Sequence, residues 1–266
     1  MCESMLRYAI LIVVILIISL QLSVISQPDD VYRPLAAGIR IEAARRVDRG
    51  YERGYLCSLG YPAYTLYPYT YTRGYITAYH CVQNGYTTVF QPYCCDDQYR
   101  IGEATIFGTN IIDAAFIDVE NDYLVTNLVY PVYYEFPNGL TATLVINDYA
   151  RSENDIYEYV AKSGATTGLT FGFAYEIENG PALYCGQEGY LTDLYAEHGD
   201  SGGIVFRGSD INYYTCQDGE CEITVYGIII GICPMYLSGY GFRNWTLFTP
   251  TFVIESQLPV RTYLGG

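Results

Sequence analysis

The sequence predicts an all-β protein. Short runs rich in β-branched and aromatic residues recur between glycine, asparagine, aspartate and proline, a spacing typical of a β-sandwich or a β-barrel. Patterns of helical period are few, and we find no internal repeat and no low-complexity linker. The 266 residues are enough for one large domain or for two smaller lobes that share an interface.

Nine segments carry the strand prediction. In chain order they are GYITAYHCV (74–82), TTVFQPY (87–93), EATIFGT (103–109), IDAAFIDVE (112–120), TATLVIND (141–148), EYVAKSG (158–164), LTFGFAYEI (169–177), GGIVFRG (202–208) and CEITVYGIIIGI (221–232). The clearest helical candidate is FVIESQL, residues 252–258. The stretch FPNGL, residues 136–140, predicts a turn and a boundary between two lobes of about 100 residues each.

The first 26 residues predict a secretory signal peptide. Arg7 precedes the apolar run AILIVVILIISL, and Val24 and Ser26 occupy the −3 and −1 positions of a cleavage site after residue 26. The alternative is an uncleaved anchor helix, which needs about 20 apolar residues. Gln21 interrupts the apolar run early, which favours cleavage and an extracellular location.

The chain is strongly acidic, with a formal net charge of −15. Removal of the predicted signal leaves this charge unchanged, because that segment carries one glutamate and one arginine. An acidic chain without a basic run repels nucleic acid and anionic membrane surfaces. We therefore expect no nucleic-acid partner and no stable membrane association once the signal is removed.

Cysteine usage favours disulfides over a metal site. One of the nine cysteines, Cys2, leaves with the predicted signal, and an even number behind a secretory signal is typical of an oxidising compartment. No C-x-x-C pair occurs, and the two histidines lack the spacing of zinc ligands. We predict no metal and no cofactor.

The segment AEHGDSGG, residues 196–203, holds a candidate nucleophile, Ser201. A serine hydroxyl needs a nearby base to take its proton and backbone N–H donors to stabilise the developing oxyanion. Gly199 can adopt backbone angles that point its own N–H and that of Ser201 at one spot, forming an oxyanion hole. The alternative is an ordinary glycine-rich turn with a solvent-facing serine.

Of the two histidines in the chain, His80 is the predicted base. It follows the short apolar strand GYITA and precedes Cys81, whose disulfide would hold it rigidly, and catalysis depends on such rigidity. The alternative role is a structural histidine at a strand end. His198 lies three residues before Ser201, and in a tight turn we expect it on the rim of the site.

An imidazole that acts as a base needs a buried carboxylate to orient it and to stabilise its charge. Asp113 lies in the apolar run IIDAAFI, where an aspartate needs a partner, and His80 is the economical one. Its rival, Asp118, lies among further acidic residues that indicate a solvated edge. The order along the chain is therefore His80, Asp113, Ser201.

These segments resemble those of chymotrypsin-like serine proteases. ITAYHC, DAAFI and GDSGG look like the three signature segments, and CSLGYPAY, VAKSGATTGLTFG and TLFTP are similar to the secreted streptogrisin and α-lytic protease branch. The resemblance spans about residues 35–260. It implies two perpendicular six-stranded antiparallel β-barrels with a short C-terminal helix: residues 27–45 as an N-terminal segment, 46–140 as the first barrel, and 141–266 as the second barrel with the helix.

The resemblance also implies structural pairs. The disulfides it suggests are Cys57–Cys81, Cys216–Cys221 and Cys185–Cys233, which leaves Cys94 and Cys95 unexplained. Lys162, the only lysine of the chain, occupies the place of an internal basic residue. We hypothesise that it pairs with Asp200 and holds the oxyanion loop in its active form without proteolytic activation. The alternative is a surface lysine near a turn.

The chain departs from the family at the substrate pocket. Where the family usually has serine, another residue and glycine, this chain has Ile230, Gly231 and Ile232. Ile230 removes a hydroxyl that commonly supports the catalytic aspartate, and Ile232 would narrow the pocket. Asp193 falls where the pocket floor lies in trypsin-like enzymes and would favour basic side chains. Tyr195, however, replaces the cysteine usual just after that floor, so a small apolar preference is equally open.

The function that these residues imply is peptide-bond hydrolysis through an acyl-enzyme, by a secreted, monomeric serine endopeptidase. Its partners would be protein or peptide substrates. An alternative is a catalytically inactive homologue that acts as a secreted binding protein, which Ile230 and Ile232 suggest, and an esterase is a third. Asn244 opens an N-glycosylation sequence, which matters only in a eukaryotic host.

Overall fold

A computed structural model describes residues 30–66, 71–175, 177–216 and 219–265. The predicted signal peptide, residues 1–26, lies outside the described residues. Within those residues, no helix is both long enough and apolar enough to span a bilayer.

The described residues form two mostly antiparallel sheets and one short helix. The first sheet contains β1 (Arg40–Val47), β2 (Gly50–Ser58), β3 (Pro62–Thr65), β4 (Arg73–Thr77), β5 (Thr88–Phe90), β6 (Arg100–Phe107), β7 (Ala115–Val119) and β17 (Val260–Thr262). The second contains β8 (Leu128–Glu135), β9 (Thr141–Tyr149), β10 (Tyr159–Gly164), β11 (Gly168–Tyr175), β12 (Ala182–Tyr184), β13 (Gln187–Thr192), β14 (Ile204–Arg207), β15 (Glu220–Leu237) and β16 (Gly241–Pro250). The helix α1 spans Thr251–Gln257.

The first sheet closes on itself through the continuous segment β2–β3. Its strand order is β17-β3-β4-β7-β6-β5-β1-β2. Between β2 and β3, the N–H of Leu59 donates to the carbonyl of Ile39 beside β1 (2.9 Å), and that of Gly60 donates to Ile76 in β4 (2.7 Å). The bent β2–β3 segment therefore joins β1 to β4, and six strand positions form a closed barrel.

The second sheet closes through β16. This strand pairs with both β13 and β15, which completes a ring of β13, β11, β10, β14, β15 and β16. The strands β8, β9 and β12 extend the sheet outside that ring. The all-β class, the two barrels and the short C-terminal helix are confirmed, although the sheets carry more strands than the barrels need.

Alternating hydrophobicity explains how the strands face the core. In β9, the sequence TATLVINDY places Ala142, Leu144 and Ile146 in the core while their neighbours are partly or fully exposed. Burial of a leucine or isoleucine side chain contributes about 1.5–3 kcal/mol. The strand β4 is buried on both faces, because it lies within the first barrel and also approaches the second.

The predicted lobe boundary at residue 140 is wrong in position. The turn at residues 136–140 joins β8 to β9 within the second sheet, where Tyr134 pairs with Ala142. The chain therefore enters the second sheet with β8, which begins at Leu128. The first barrel also begins earlier than residue 46, at Arg40, and the C-terminal β17 returns to it by pairing with β3. A turn signal marks where a strand ends, but it does not say which sheet the next strand joins.

Closure of the second barrel depends on the buried face of β16. Replacing Phe248, which is fully buried, by alanine should lower the free energy of unfolding by about 3–5 kcal/mol, because it leaves a cavity in the core. Urea unfolding with the disulfides intact measures the change. Phe242→Ala is the control on the same strand, since Phe242 is 72% exposed and its loss should change stability by about 0.5 kcal/mol or less. Equal effects of the two variants would contradict the assigned register.

Candidate catalytic site

His80 and Asp113 form a tightly bonded pair in the first barrel. His80 lies in a short 3-10 helix, Tyr79–Cys81, directly after β4, and Asp113 lies between β6 and β7. Asp113 Oδ1 accepts the backbone N–H of His80 (2.8 Å), and Oδ2 lies 2.5 Å from His80 Nδ1. A proton on Nδ1 directed at the carboxylate leaves Nε2 free to accept another proton.

The burial of Asp113 explains why this carboxylate needs His80 as a partner. Asp113 is 1% exposed, whereas the side chain of His80 is 35% exposed. An isolated carboxylate at that depth would be strongly unfavourable, so the bonds from His80 supply the partner that the apolar run around Asp113 requires. The rival Asp118 lies at a partly exposed position, and burial and then its acidic neighbours raise its pKa.

The loop that carries Ser201 packs directly against the segment that carries His80. Ser201 accepts the backbone N–H of Ser58 at its carbonyl oxygen (2.8 Å), and the same oxygen lies 3.9 Å from Cys81 Sγ. Gly202 has φ +86°, and a Cβ there would clash with the carbonyl oxygen of Ser58 and with Thr77. The loop can therefore approach the first barrel only with glycine after Ser201.

The hydroxyl of Ser201 makes no hydrogen bond to any residue that the structure describes. The contact between Ser201 and His80 Nε2 is therefore not formed in this structure. Catalytic hydrogen bonds of this kind are often long without substrate and tighten in the substrate complex.

The backbone N–H groups of Gly199 and Ser201 lie in this loop, on either side of Asp200 in the sequence. Asp200 N donates to Glu197 (3.0 Å) and Gly202 N donates to Ile229 (2.7 Å), but the N–H groups of Gly199 and Ser201 bond to no described residue. Gly199 has φ +101°, a left-handed conformation that favours glycine. Two free donors beside a serine hydroxyl have the chemistry of an oxyanion hole.

Lys162 and Asp200 are both fully buried, and they form an ion pair of 3.3 Å. Lys162 Nζ also donates to Thr167 Oγ1 (2.5 Å) and to the carbonyl of Gly168 (3.0 Å). Burial lowers the pKa of Lys162, while Asp200 acts in the opposite direction. The lysine is therefore a buried structural partner of the loop, and the alternative of a surface lysine is excluded.

The carboxylate of Asp200 fixes the loop on both sides. Its oxygens accept the backbone N–H groups of Thr166 (2.9 Å), Thr167 (3.1 Å) and Glu197 (3.0 Å), and the Thr167 hydroxyl (2.6 Å). These donors come from the β10–β11 turn and from the residues before Ser201. The backbone around the two free N–H groups is therefore held by one buried charge.

One residue of the site was missed in the sequence. Gln187, the first residue of β13, donates from Nε2 to Asp113 Oδ2 (2.8 Å). The predicted pocket residue Ile230 is 2% exposed and forms the extra residue of a bulge in β15. No sequence signal pointed to Gln187, because a glutamine at a strand start is unremarkable without knowledge of what faces it.

The predicted pocket residues divide into two groups. Asp193 does not present a free carboxylate, because Oδ1 accepts the Phe173 N–H (2.5 Å) and Oδ2 accepts the Tyr175 hydroxyl (2.7 Å). Its predicted role as an anionic pocket floor is therefore not supported. Tyr195 and Ile232 are 53% and 42% exposed and remain available to a ligand.

Gly231 and His198 are two further residues of the predicted site. The space beside Gly231 is open, since a Cβ there would come no closer than 3.8 Å to the Gln187 side chain. His198 is exposed, and its one hydrogen bond to a described residue is the one that its carbonyl oxygen accepts from the Thr166 hydroxyl (2.7 Å). This position agrees with a residue on the rim.

The disulfides follow the pairing that the resemblance implies. The structure joins Cys57 to Cys81, Cys185 to Cys233 and Cys216 to Cys221, and it also joins the adjacent Cys94 and Cys95. In the described part of the chain, the one cluster with metal-ligand atoms is Cys57, His80 and Cys81. Its two sulfurs are bonded to each other, so they cannot act as thiolate ligands.

Comparisons with known proteins support the fold. No protein-family model and no curated protein matches the sequence. Among solved structures, protease A of Thermobifida fusca matches with 23% identity and a TM-score of 0.50, over 86% of this chain and 98% of that one. A glutamic acid-specific serine protease matches with 20% identity and a TM-score of 0.53, over 86% and 100%.

A third solved structure, the chymotrypsin of Cellulomonas bogoriensis, matches with 21% identity and a TM-score of 0.50, over 86% of this chain and 98% of that one. The chain therefore has the fold of chymotrypsin-like serine proteases, and the predicted resemblance is confirmed at the level of the fold.

The buried ion pair should dominate the stability of the loop. Lys162→Met leaves Asp200 charged and unpaired in the interior, so we expect a loss of about 3–5 kcal/mol in the free energy of unfolding. Urea unfolding measures it. Arg45→Met is the control, because it breaks an exposed pair with Glu52 and should leave the urea midpoint almost unchanged. Similar midpoints for both variants would argue against Asp200 as the anchor of the loop.

Proposed function

We propose that the protein is a serine endopeptidase that cleaves peptide bonds through an acyl-enzyme. Ser201 is the nucleophile, His80 the general base and Asp113 the orienting carboxylate. The observation that carries the proposal is the buried Asp113, which holds both the backbone and the ring of His80. The loop that carries Ser201 packs against that same segment.

The residues support a complete sequence of proton transfers. Nε2 of His80 takes the proton of Ser201 Oγ as that oxygen attacks the substrate carbonyl carbon. The resulting oxyanion accepts the N–H groups of Gly199 and Ser201. His80 then gives its proton to the leaving amine as the carbon–nitrogen bond breaks, and water releases the acyl group by the same steps. One oxyanion donor is typically worth about 10²–10³ in kcat.

The oxyanion loop is proposed to be active without proteolytic processing. A loop that needed a new N-terminal amine as its ion-pair partner would require a cleavage to create that amine. Lys162 is an internal cation in contact with Asp200, and it supplies the same charge from within the folded chain. The ion pair therefore supports a constitutively formed site.

The proposed setting is extracellular. The predicted signal peptide and the disulfides of the described residues support export to an oxidising compartment. The proposed substrates are proteins or peptides, and the proposed working form is a monomer without a cofactor. Sequencing the N-terminus of the exported protein tests the cleavage after residue 26.

An activated serine should react with a fluorophosphonate probe. We expect the wild-type protein to be labelled covalently and Ser201→Ala to be unlabelled, as mass spectrometry of the intact protein would show. Ser256→Ala is the control, because Ser256 bonds only within α1. A wild-type protein that resists the probe would favour the inactive homologue. A peptide library compared with simple esters then separates a protease from an esterase.

The two histidines should differ sharply in their effect. His80→Ala removes the general base and should reduce kcat on a peptide substrate by about 10⁴–10⁶. His198→Ala is the matched control, since its ring bonds to no described residue, and it should alter KM at most. Steady-state kinetics on the best library peptide measures both. The reverse ranking of the two variants would refute the assignment of His80.

A further inference from the structure

We propose that Gln187 is a positioning residue of the catalytic site, which holds Asp113 in the orientation that His80 needs. This role rests on the proposed function, because it concerns the aspartate of the same triad. Gln187 lies at the start of β13 in the second barrel, whereas Asp113 and His80 belong to the first barrel.

The contact itself is short and chemically unambiguous. Gln187 Nε2 lies 2.8 Å from Asp113 Oδ2, the oxygen that also faces His80 Nδ1. An ionised carboxylate can only accept hydrogen bonds, so the amide must present its NH2 group to it. Among the described residues, Gln187 is the one donor to Asp113 that does not come from His80.

Geometry gives Gln187 control over the rotation of the carboxylate. The backbone N–H of His80 holds Oδ1 (2.8 Å), and Gln187 holds Oδ2 from the opposite barrel. With both oxygens held, the plane of the carboxylate is fixed and Oδ2 faces the imidazole. Without the amide, only the two bonds to His80 would resist rotation of the carboxylate, and a buried acceptor would lose a charge-assisted bond.

Other contacts anchor the backbone on both sides of the bond between Gln187 and Asp113. Its neighbour Glu188 donates a backbone hydrogen bond to the carbonyl of Ile111 (2.9 Å), which ties the start of β13 to the loop that carries Asp113. Two residues before Gln187, the Cys185–Cys233 disulfide joins the β12–β13 turn to β15. Both ends of the interaction are therefore anchored independently of the amide.

The part of β15 that lies beside Gln187 carries no polar side chain. Ile230, at the nearby bulge, is buried and offers no hydroxyl. Gly231 carries no side chain, and the nearest heavy atom to a Cβ at that position would be Gln187 Oε1, at 3.8 Å. The glutamine side chain thus lies beside a stretch of β15 that supplies no polar side chain of its own, and it provides the missing donor.

The test replaces the amide by a side chain of similar length without a donor. In Gln187→Met we expect kcat to fall about tenfold with KM unchanged, in line with the loss of a hydrogen bond to a charged group. In the same variant, the proton NMR signal of His80 Nδ1–H, identified by its absence in His80→Ala, should exchange with water about tenfold faster. Gln98→Met is the control, because Gln98 is exposed and its amide bonds to Asp96.

Unchanged Nδ1–H exchange in Gln187→Met would overturn the positioning role whatever the activity. A wild-type protein that lacks turnover, but whose Nδ1–H exchange depends on Gln187, would overturn the proposed function and leave the positioning role standing.

Discussion

A buried negative charge must be neutralised where it lies, and the site is organised around that constraint at Asp200. Its carboxylate is completely buried, and removing a charge from water costs several kcal/mol unless partners compensate. Lys162 supplies the opposite charge, and three backbone N–H groups and one hydroxyl supply hydrogen bonds. Because those donors come from the loop itself and from a neighbouring turn, the conformation of the loop is the one that solvates Asp200.

Asp113 meets the same constraint in a different way. Its partners are the ring and the backbone N–H of His80 and the neutral amide of Gln187, so none of them carries a positive charge while the ring is neutral. A fully compensated carboxylate, such as Asp200, stabilises a fixed conformation. In the proposed mechanism, an incompletely compensated carboxylate stabilises the protonated imidazole, which is the species that a general base forms. The two buried aspartates thus differ in the charge of their partners, and the proposal gives them different roles.

The all-β fold and the residues of the candidate site could largely be predicted, because the sequence patterns that indicate them are local. The apolar run around Asp113, the strand before His80 and the glycines around Ser201 each restrict the backbone or require a partner within a few residues. The bond from Gln187 to Asp113 and the hydrogen bonds that occupy the Asp193 carboxylate could not be predicted. Both depend on which strands become neighbours, and the sequence carries no local trace of a contact between β13 and the loop after β6.

The dependence on strand neighbours also explains the misplaced lobe boundary. It explains as well why β1 lies outside the nine segments predicted as strands. The strand β1, RIEAARRV, carries charged residues and alanines that do not indicate a strand. Its pairing with β2 and β5 decides its conformation through tertiary context. The turn at residues 136–140 was correct as a turn, but only the pairing of β8 with β9 assigns it to the second barrel.

The return of β17 to the first barrel affects the order of folding. Val260 pairs with Thr65, so the strand that extends the first sheet beyond β3 is synthesised only after every strand of the second barrel. Contacts between such distant parts of a chain have a high loop-closure cost and slow folding. The ring of the first barrel would therefore be synthesised before the strand that extends its sheet, and the first sheet would reach its full form only after the second barrel has been made.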